Sequence, residues 1–152
     1  GSYYFMKHMA NAHAAGGGGS LINITSATAI MVPMGLSPSS GCKAAANFVT
    51  KIAAREYGTA QVRVNALAPT FVPTAMNAYG GMTPVDDARV DLDSSTPISE
   101  AFINETPLAR ITTVDDCADV AVFLASDLSS SITGQVVPVD CGNHLMRLPT
   151  TG

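Results

Sequence analysis

Charge is what this sequence has least of: only 13% of its 152 residues are Asp, Glu, Lys or Arg, against roughly 25% in an ordinary soluble domain. A surface so poor in charge predicts that part of it is covered by a partner or by further polypeptide. What charge there is runs acidic, −4 at pH 7 with a pI near 5.1. That balance excludes the basic footprint of a nucleic-acid or anionic-membrane binder.

No apolar run approaches the roughly 20 residues a membrane helix needs. The opening GSYYFMKHM lacks the basic-then-apolar layout of a secretory leader, so a cytoplasmic location is expected. Gly1-Ser2 reads equally as native chain or as a tag remnant. Cysteine is sparse, and Cys42, Cys117 and Cys141 show no CxxC spacing, which reads as reduced thiols and not as a disulfide frame or zinc site. His8, His13 and His144 also lack ligand spacing and read as solvated or core histidines. There is no internal repeat, and the one low-complexity piece is a run of four glycines at 16–19. It reads as a helix stop followed by a turn into a strand.

Hydrophobic residues, by contrast, make up 47% of the chain, enough for the core of one domain. Residues 3–15 carry no proline and are apolar on most faces, predicting a helix that is buried or packed on another copy of itself. LINIT, 21–25, is a short apolar run bounded by glycine and serine, the pattern of a fully buried parallel strand. From 39 to 57, Cys42, Ala45, Ala46, Val49, Ile52 and Ala53 recur at helical spacing. Ser37 or Ser39 is placed to cap that helix, and Gly58 to end it. VRVNALA, 62–68, is a second buried strand stopped by Pro69. Asp115 opens a third helix to Ala125 with an apolar stripe of Val120, Ala121, Phe123 and Leu124. QVVPVD, 135–140, is a third strand, and Pro138 within it favours an edge.

Helices alternating with buried strands predict an α/β architecture with a parallel sheet. Residues 82–106 break the rhythm with Asp86, Asp87, Asp91, Asp93, Glu100 and Glu105 among serines, threonines and prolines. Such an acidic insertion reads as a loop over a site or as disordered chain. Its charge makes it a poor cradle for a strongly anionic group.

Taken in order, these pieces resemble the C-terminal part of the short-chain dehydrogenase/reductase family. GGGGSLINITS is similar to the strand ending in the family's catalytic serine, which places Ser26 in that role. VRVNALAPTFVPT resembles the strand and loop that close over the nicotinamide, with Pro69, Val72 and Thr74 at contact positions. TPLARITTVDDCADVAVFLASDLSSSITGQVVPVDCG is similar to the family's last helix and last strand. The resemblance implies a Rossmann-like, doubly wound parallel sheet, of which residues 1–152 supply the C-terminal part. It also implies NAD or NADP as cofactor. The family's Gly-rich turn, which receives the pyrophosphate at a helix N-terminus, is not among the 152 residues, and the four glycines precede a strand instead of opening a helix. A protein of about 250 residues is therefore expected.

The family's spacing from Ser26 puts its catalytic tyrosine at Ser39 and its lysine at Lys43. Residues four apart share a helix face, so Ser39 and Lys43 are expected to point together into the crevice. By the resemblance, the tyrosine is the general acid or base, the serine orients the substrate carbonyl, and the lysine lowers the tyrosine's pKa and holds the nicotinamide ribose. A serine hydroxyl is far less acidic than a phenol and several ångströms shorter, and a missing positioned acid costs about 10²–10⁴-fold in rate. Of the tyrosines, only Tyr79 lies in the loop after the cofactor motif, while Tyr3, Tyr4 and Tyr57 do not share the helix face before Lys43. Thr70 stands where the family usually has glycine, which predicts a narrower pocket floor or a changed backbone angle.

The resemblance further implies that helices 3–15 and 39–57 pack against the same helices of a homologous subunit, as a homo- or hetero-oligomer. Their alanine-rich composition suits close helix packing. Two functions follow: a non-catalytic subunit of an oxidoreductase complex, or an active alcohol, ketone or hydroxyacyl oxidoreductase with a rewired proton donor. A Tyr→Ser change introduced to trap a complex gives the same sequence.

Overall fold

A computed structural model describes residues 1–31, 33, 35–74 and 97–145. Its elements in chain order are α1 (Ser2–Ala15), β1 (Gly19–Ile24), α2 (Ser37–Tyr57), β2 (Val62–Pro69), α3 (Pro97–Glu105), α4 (Val114–Ala125) and β3 (Val136–Val139). The three strands form one parallel sheet in the order β1-β2-β3. Ile24 pairs with Leu67, and Leu67 with Val137, so all three strands end on one rim.

Strand alternation explains the layers. Val62 and Val64 are buried with Met6, Ala53 and Ala54, and Leu21 packs against them, which puts α1 and α2 on one face. Ser20 and Arg63, one residue out of phase, reach the Leu124 carbonyl at the end of α4 on the other. Val62 and Val64 are at most 1% exposed, and each such side chain stabilises the fold by about 2 kcal/mol. The helix stop at 16–19 works through Gly18. Its φ is +128° and a Cβ would stand 2.8 Å from the Gln61 carbonyl oxygen, so only glycine lets α1 turn directly into β1.

Several sequence expectations need correction. β1 is half-buried, and Ile24 is 54% exposed, because its outer edge pairs with no strand among the described residues. No serine side chain caps α2; Leu36 is the N-cap, accepting from the Ser40 N–H at 2.9 Å, and Pro38 sits in the first turn. Phe123 does not belong to the stripe of α4, where Leu124 is the buried residue. Residues 97–105 of the acidic insertion form α3, while 82–96 lie outside the described residues. Pro138 does sit on an edge strand, as read. No helix among the described residues is long and apolar enough to cross a membrane.

Candidate active site

The rim of the sheet carries Ser26, Lys43 and the loop with Pro69, Val72 and Thr74, while Ser39 is exposed on the first turn of α2. The ladder of β1 continues one residue past the strand, with the Thr25 N–H donating to the Leu67 carbonyl at 2.8 Å. Ser26 follows in extended conformation and caps a 3-10 turn at Ala27–Ala29. Its Oγ accepts from the Thr28 N–H at 3.2 Å and from the Thr28 hydroxyl at 2.9 Å. A serine hydroxyl has two acceptor positions and one proton. Thr28 fills both acceptor positions, so what Ser26 has left to offer is its proton. That is the capacity needed to orient a carbonyl oxygen.

Lys43 reaches back from the second turn of α2 to the end of β1, where Nζ donates to the Ile24 carbonyl at 3.0 Å. An ammonium has three donors, so two are without a partner among the described residues. Ser39 lies one turn earlier and is exposed. On the same stretch of α2, Ser40 Oγ and Asn47 Oδ1 are buried without a hydrogen-bond partner among the described residues. Each unmet buried oxygen costs about 1–3 kcal/mol. With Lys43, at spacings of three and four, they give this face of α2 a polar stripe that packing alone does not call for.

The loop after β2 carries Pro69, Val72 and Thr74, all half-buried. Its first residue extends the pairing with β3, the Thr70 N–H donating to the Val139 carbonyl at 3.3 Å. Thr70 is not among the residues with positive φ, so threonine at this position carries no left-handed strain. Phe71 stacks on Phe102 of α3 at 4.7 Å between ring centroids and 16° between planes.

A sheet of parallel strands receives its ligand at the carboxyl ends, which is where these groups meet. The family model described as Enoyl-(Acyl carrier protein) reductase matches residues 1–144. The chain belongs to the short-chain dehydrogenase/reductase family. It is 34% identical over 145 residues to 4-formylbenzenesulfonate dehydrogenase of Comamonas testosteroni, covering 95% of this chain and 54% of that one. A short-chain type dehydrogenase/reductase from Mycobacterium ulcerans superposes with a TM-score of 0.82 at 34% identity, over 96% of this chain and 49% of that one. A gluconate 5-dehydrogenase from Burkholderia cenocepacia, in complex with NADP and tartrate, gives 0.75 at 29% identity, over 91% and 49%. The chain thus spans about half the length of the relatives it matches.

Within this short-chain dehydrogenase/reductase chain none of the described tyrosines stands on α2 one turn before Lys43. Tyr3 and Tyr4 are exposed on α1, ring against ring. Tyr57 donates to Asn11 Oδ1 at 2.9 Å. It ends α2 eighteen residues after Ser39, about 27 Å along the helix axis. Tyr79 lies outside the described residues. The groups present suit the nicotinamide-ribose end of a dinucleotide: Lys43 has donors to spare at the strand end, beside a half-buried loop.

Sequence reasoning missed a second polar cluster at the rim. His144, read as solvated or core, has its Nδ1 2.6 Å from Asp140 Oδ2, and Asp140 is buried. The four-residue spacing of the pair was the available signal. It also missed the Thr113–Asp116 capping box of α4, spelled T-x-x-D, where Arg110 joins Asp116 with two hydrogen bonds of 2.6 and 3.0 Å. Arg110 first, then the Thr113 N–H, hold the Asp116 carboxyl well below the usual carboxylate range. Burial and then the Asp116 charge push the Cys117 thiol up.

Proposed function

We propose that this chain is a non-catalytic subunit of an NAD(P)-dependent oxidoreductase assembly, binding NAD or NADP and pairing with a homologous, active subunit. The observation that carries the reading is Ser39. It stands on the exposed first turn of α2, one turn before a lysine that does reach the rim. No described tyrosine occupies that place on α2. A hydride donor delivers two electrons to a carbonyl carbon, but the oxygen still needs a proton, and a short aliphatic alcohol is a poor source of it.

The partner surface is supported by the outer faces of α1 and α2. Tyr4 is 67% exposed and Phe48 is 65% exposed, an apolar display that suits helix packing against a homologous subunit. A cytoplasmic setting belongs to the same reading.

A second reading is an active alcohol, ketone or hydroxyacyl oxidoreductase with a rewired donor. It is favoured by the Ser26 proton and the two Lys43 donors that have no partner among the described residues. Such machinery would be idle in a pure scaffold.

The test is to titrate NADH and NADPH into the intact protein, with and without a candidate homologous subunit, and to assay alcohols, ketones and hydroxyacyl compounds. We expect cofactor binding without turnover by this chain alone, and turnover in the complex. Turnover by the chain alone that disappears in Lys43→Ala would establish the second reading.

A further inference from the structure

β3 ends at Val139, and the chain then winds directly around one buried carboxylate. Asp140 Oδ1 accepts from the Gly142 N–H at 3.0 Å, and Oδ2 accepts from the His144 N–H at 2.8 Å and sits 2.6 Å from His144 Nδ1. Gly142 has φ +84°, and a Cβ there would stand 2.8 Å from the Pro107 ring, so the turn is clamped from outside as well. A turn held from both sides has one shape. What it presents is Asn143, whose N–H donates to the Asp140 carbonyl at 2.9 Å and whose Oδ1 accepts the Thr70 hydroxyl at 3.1 Å.

Thr70 is the root of the loop that carries Val72 and Thr74. Both bonds that fix it, the N–H to Val139 and the hydroxyl to Asn143, run to β3 and its turn. Little freedom remains further along. Pro73 fixes its own φ and confines Val72 to extended backbone, and Phe71 is stacked on Phe102. An orientation set at Thr70 is therefore carried to Thr74 with few torsions to absorb it.

We propose that Asn143 and Thr70 are positioning residues for the cofactor: the Asp140 turn presents Asn143, which through the Thr70 hydroxyl aims Val72 and Thr74 at the nicotinamide end of a dinucleotide. The proposal rests on the cofactor reading above. It gives the threonine a purpose at a position where the family usually has glycine. The hydroxyl supplies an anchor that glycine lacks.

The experiment uses Thr70→Val, Asn143→Ala, the double variant and Thr70→Ser in the intact protein. The readouts are NADH and NADPH affinity by nicotinamide fluorescence, amide exchange at Phe71, Val72 and Thr74, and the unfolding midpoint. Each single variant is expected to weaken cofactor binding by about tenfold, the equivalent of one hydrogen bond, and to speed exchange in the loop by a similar factor. The double variant should be no worse than either single one, and Thr70→Ser should behave as the parent. Single variants that bind and exchange like the parent would overturn the proposal, as would effects that multiply in the double variant. If the parent itself binds neither cofactor, the cofactor reading fails and exchange alone decides. Non-additive acceleration retains the Asn143–Thr70 link as the loop's positioning element, and unchanged exchange removes it.

Discussion

The rim after β1 and the rim after β3 lie two strands apart, about 10 Å, and the chain treats them differently. After β1, among the described residues, the Ser26 hydroxyl meets Thr28 alone and the Lys43 ammonium meets the Ile24 carbonyl alone. Ser39 is exposed. After β3, one buried carboxylate meets two backbone N–H groups and an imidazole, Asn143 ties the turn to Thr70, and the Thr112 hydroxyl donates to Val139 O at 3.2 Å. Among the described residues the first rim keeps donors unspent, which binding requires. The second commits a buried carboxylate, two backbone N–H groups and the Thr70 hydroxyl to one fixed geometry. Chemistry and rigidity are thus divided between the two outer strand ends, with the loop after β2 between them.

The largest effect should come from completing the first rim. Ser39→Tyr restores a phenol four residues before Lys43, on the same helix face. In the intact protein, hydride transfer on a responsive alcohol or ketone is expected to rise by about 10²–10⁴-fold, the range a positioned acid supplies. Steady-state absorbance at the reduced-nicotinamide band reads it directly. No gain, with cofactor still bound, would show that more than the proton donor separates this rim from an active one.

Breaking the second rim should cost stability instead. Asp140→Ala leaves the Gly142 and His144 N–H groups without their acceptor and His144 without its partner. A loss of about 3 kcal/mol is expected, seen as a lower urea midpoint with an unchanged slope. An unaltered midpoint would mean that the carboxylate merely decorates the turn. Asp140→Asn, which keeps one acceptor oxygen, should fall between the two.

How legible each rim was follows from the same division. VRVNALA declared β2 through the apolar residues at Val62, Val64 and Ala66 to Ala68, while Arg63 and Asn65 between them meet the backbone carbonyls of Leu124 and Ile132. Ser26 and Lys43 were legible through the resemblance, since a strand, a turn and a helix fix their spacing. The β3 turn was not. Its work is done by backbone N–H groups meeting one side chain, and the four-residue spacing of Asp140 and His144 falls in a turn, where it carries less weight than on a helix. α3 was hidden by the prolines, serines and acids around it, although Ala101 and Phe102 stand at helical spacing from Ile98. β1 was read as fully buried because an apolar run does not reveal which of its edges is paired.

A smaller effect is expected on the element behind the second rim. Thr113 accepts the Asp116 N–H at 3.1 Å, while Asp116 accepts the Thr113 N–H at 2.8 Å. Thr113→Ala removes half of that exchange and should cost about 1 kcal/mol. A change as large as that of Asp140→Ala would blur the contrast between a surface cap and a buried hub.

The smallest effect is electrostatic and sharpens the contrast by pH. The Asp116 carboxyl is held below its ordinary range, chiefly by Arg110 and then by the Thr113 N–H. A depressed carboxyl contributes stability in full above its unfolded pKa, about 3.9, and loses it as pH falls through the lower folded value. Asp116→Asn keeps an acceptor for the cap but removes the charge. The parent should therefore exceed this variant by a constant margin from pH 5 upward, and the margin should close only below about pH 4. The Arg110 and Asp116 side chains are 49% and 27% exposed, so solvent screens the pair and 1 M salt should shrink the margin. A margin that widened on acidification, or ignored salt, would place the benefit of Asp116 in its cap geometry and not in its charge.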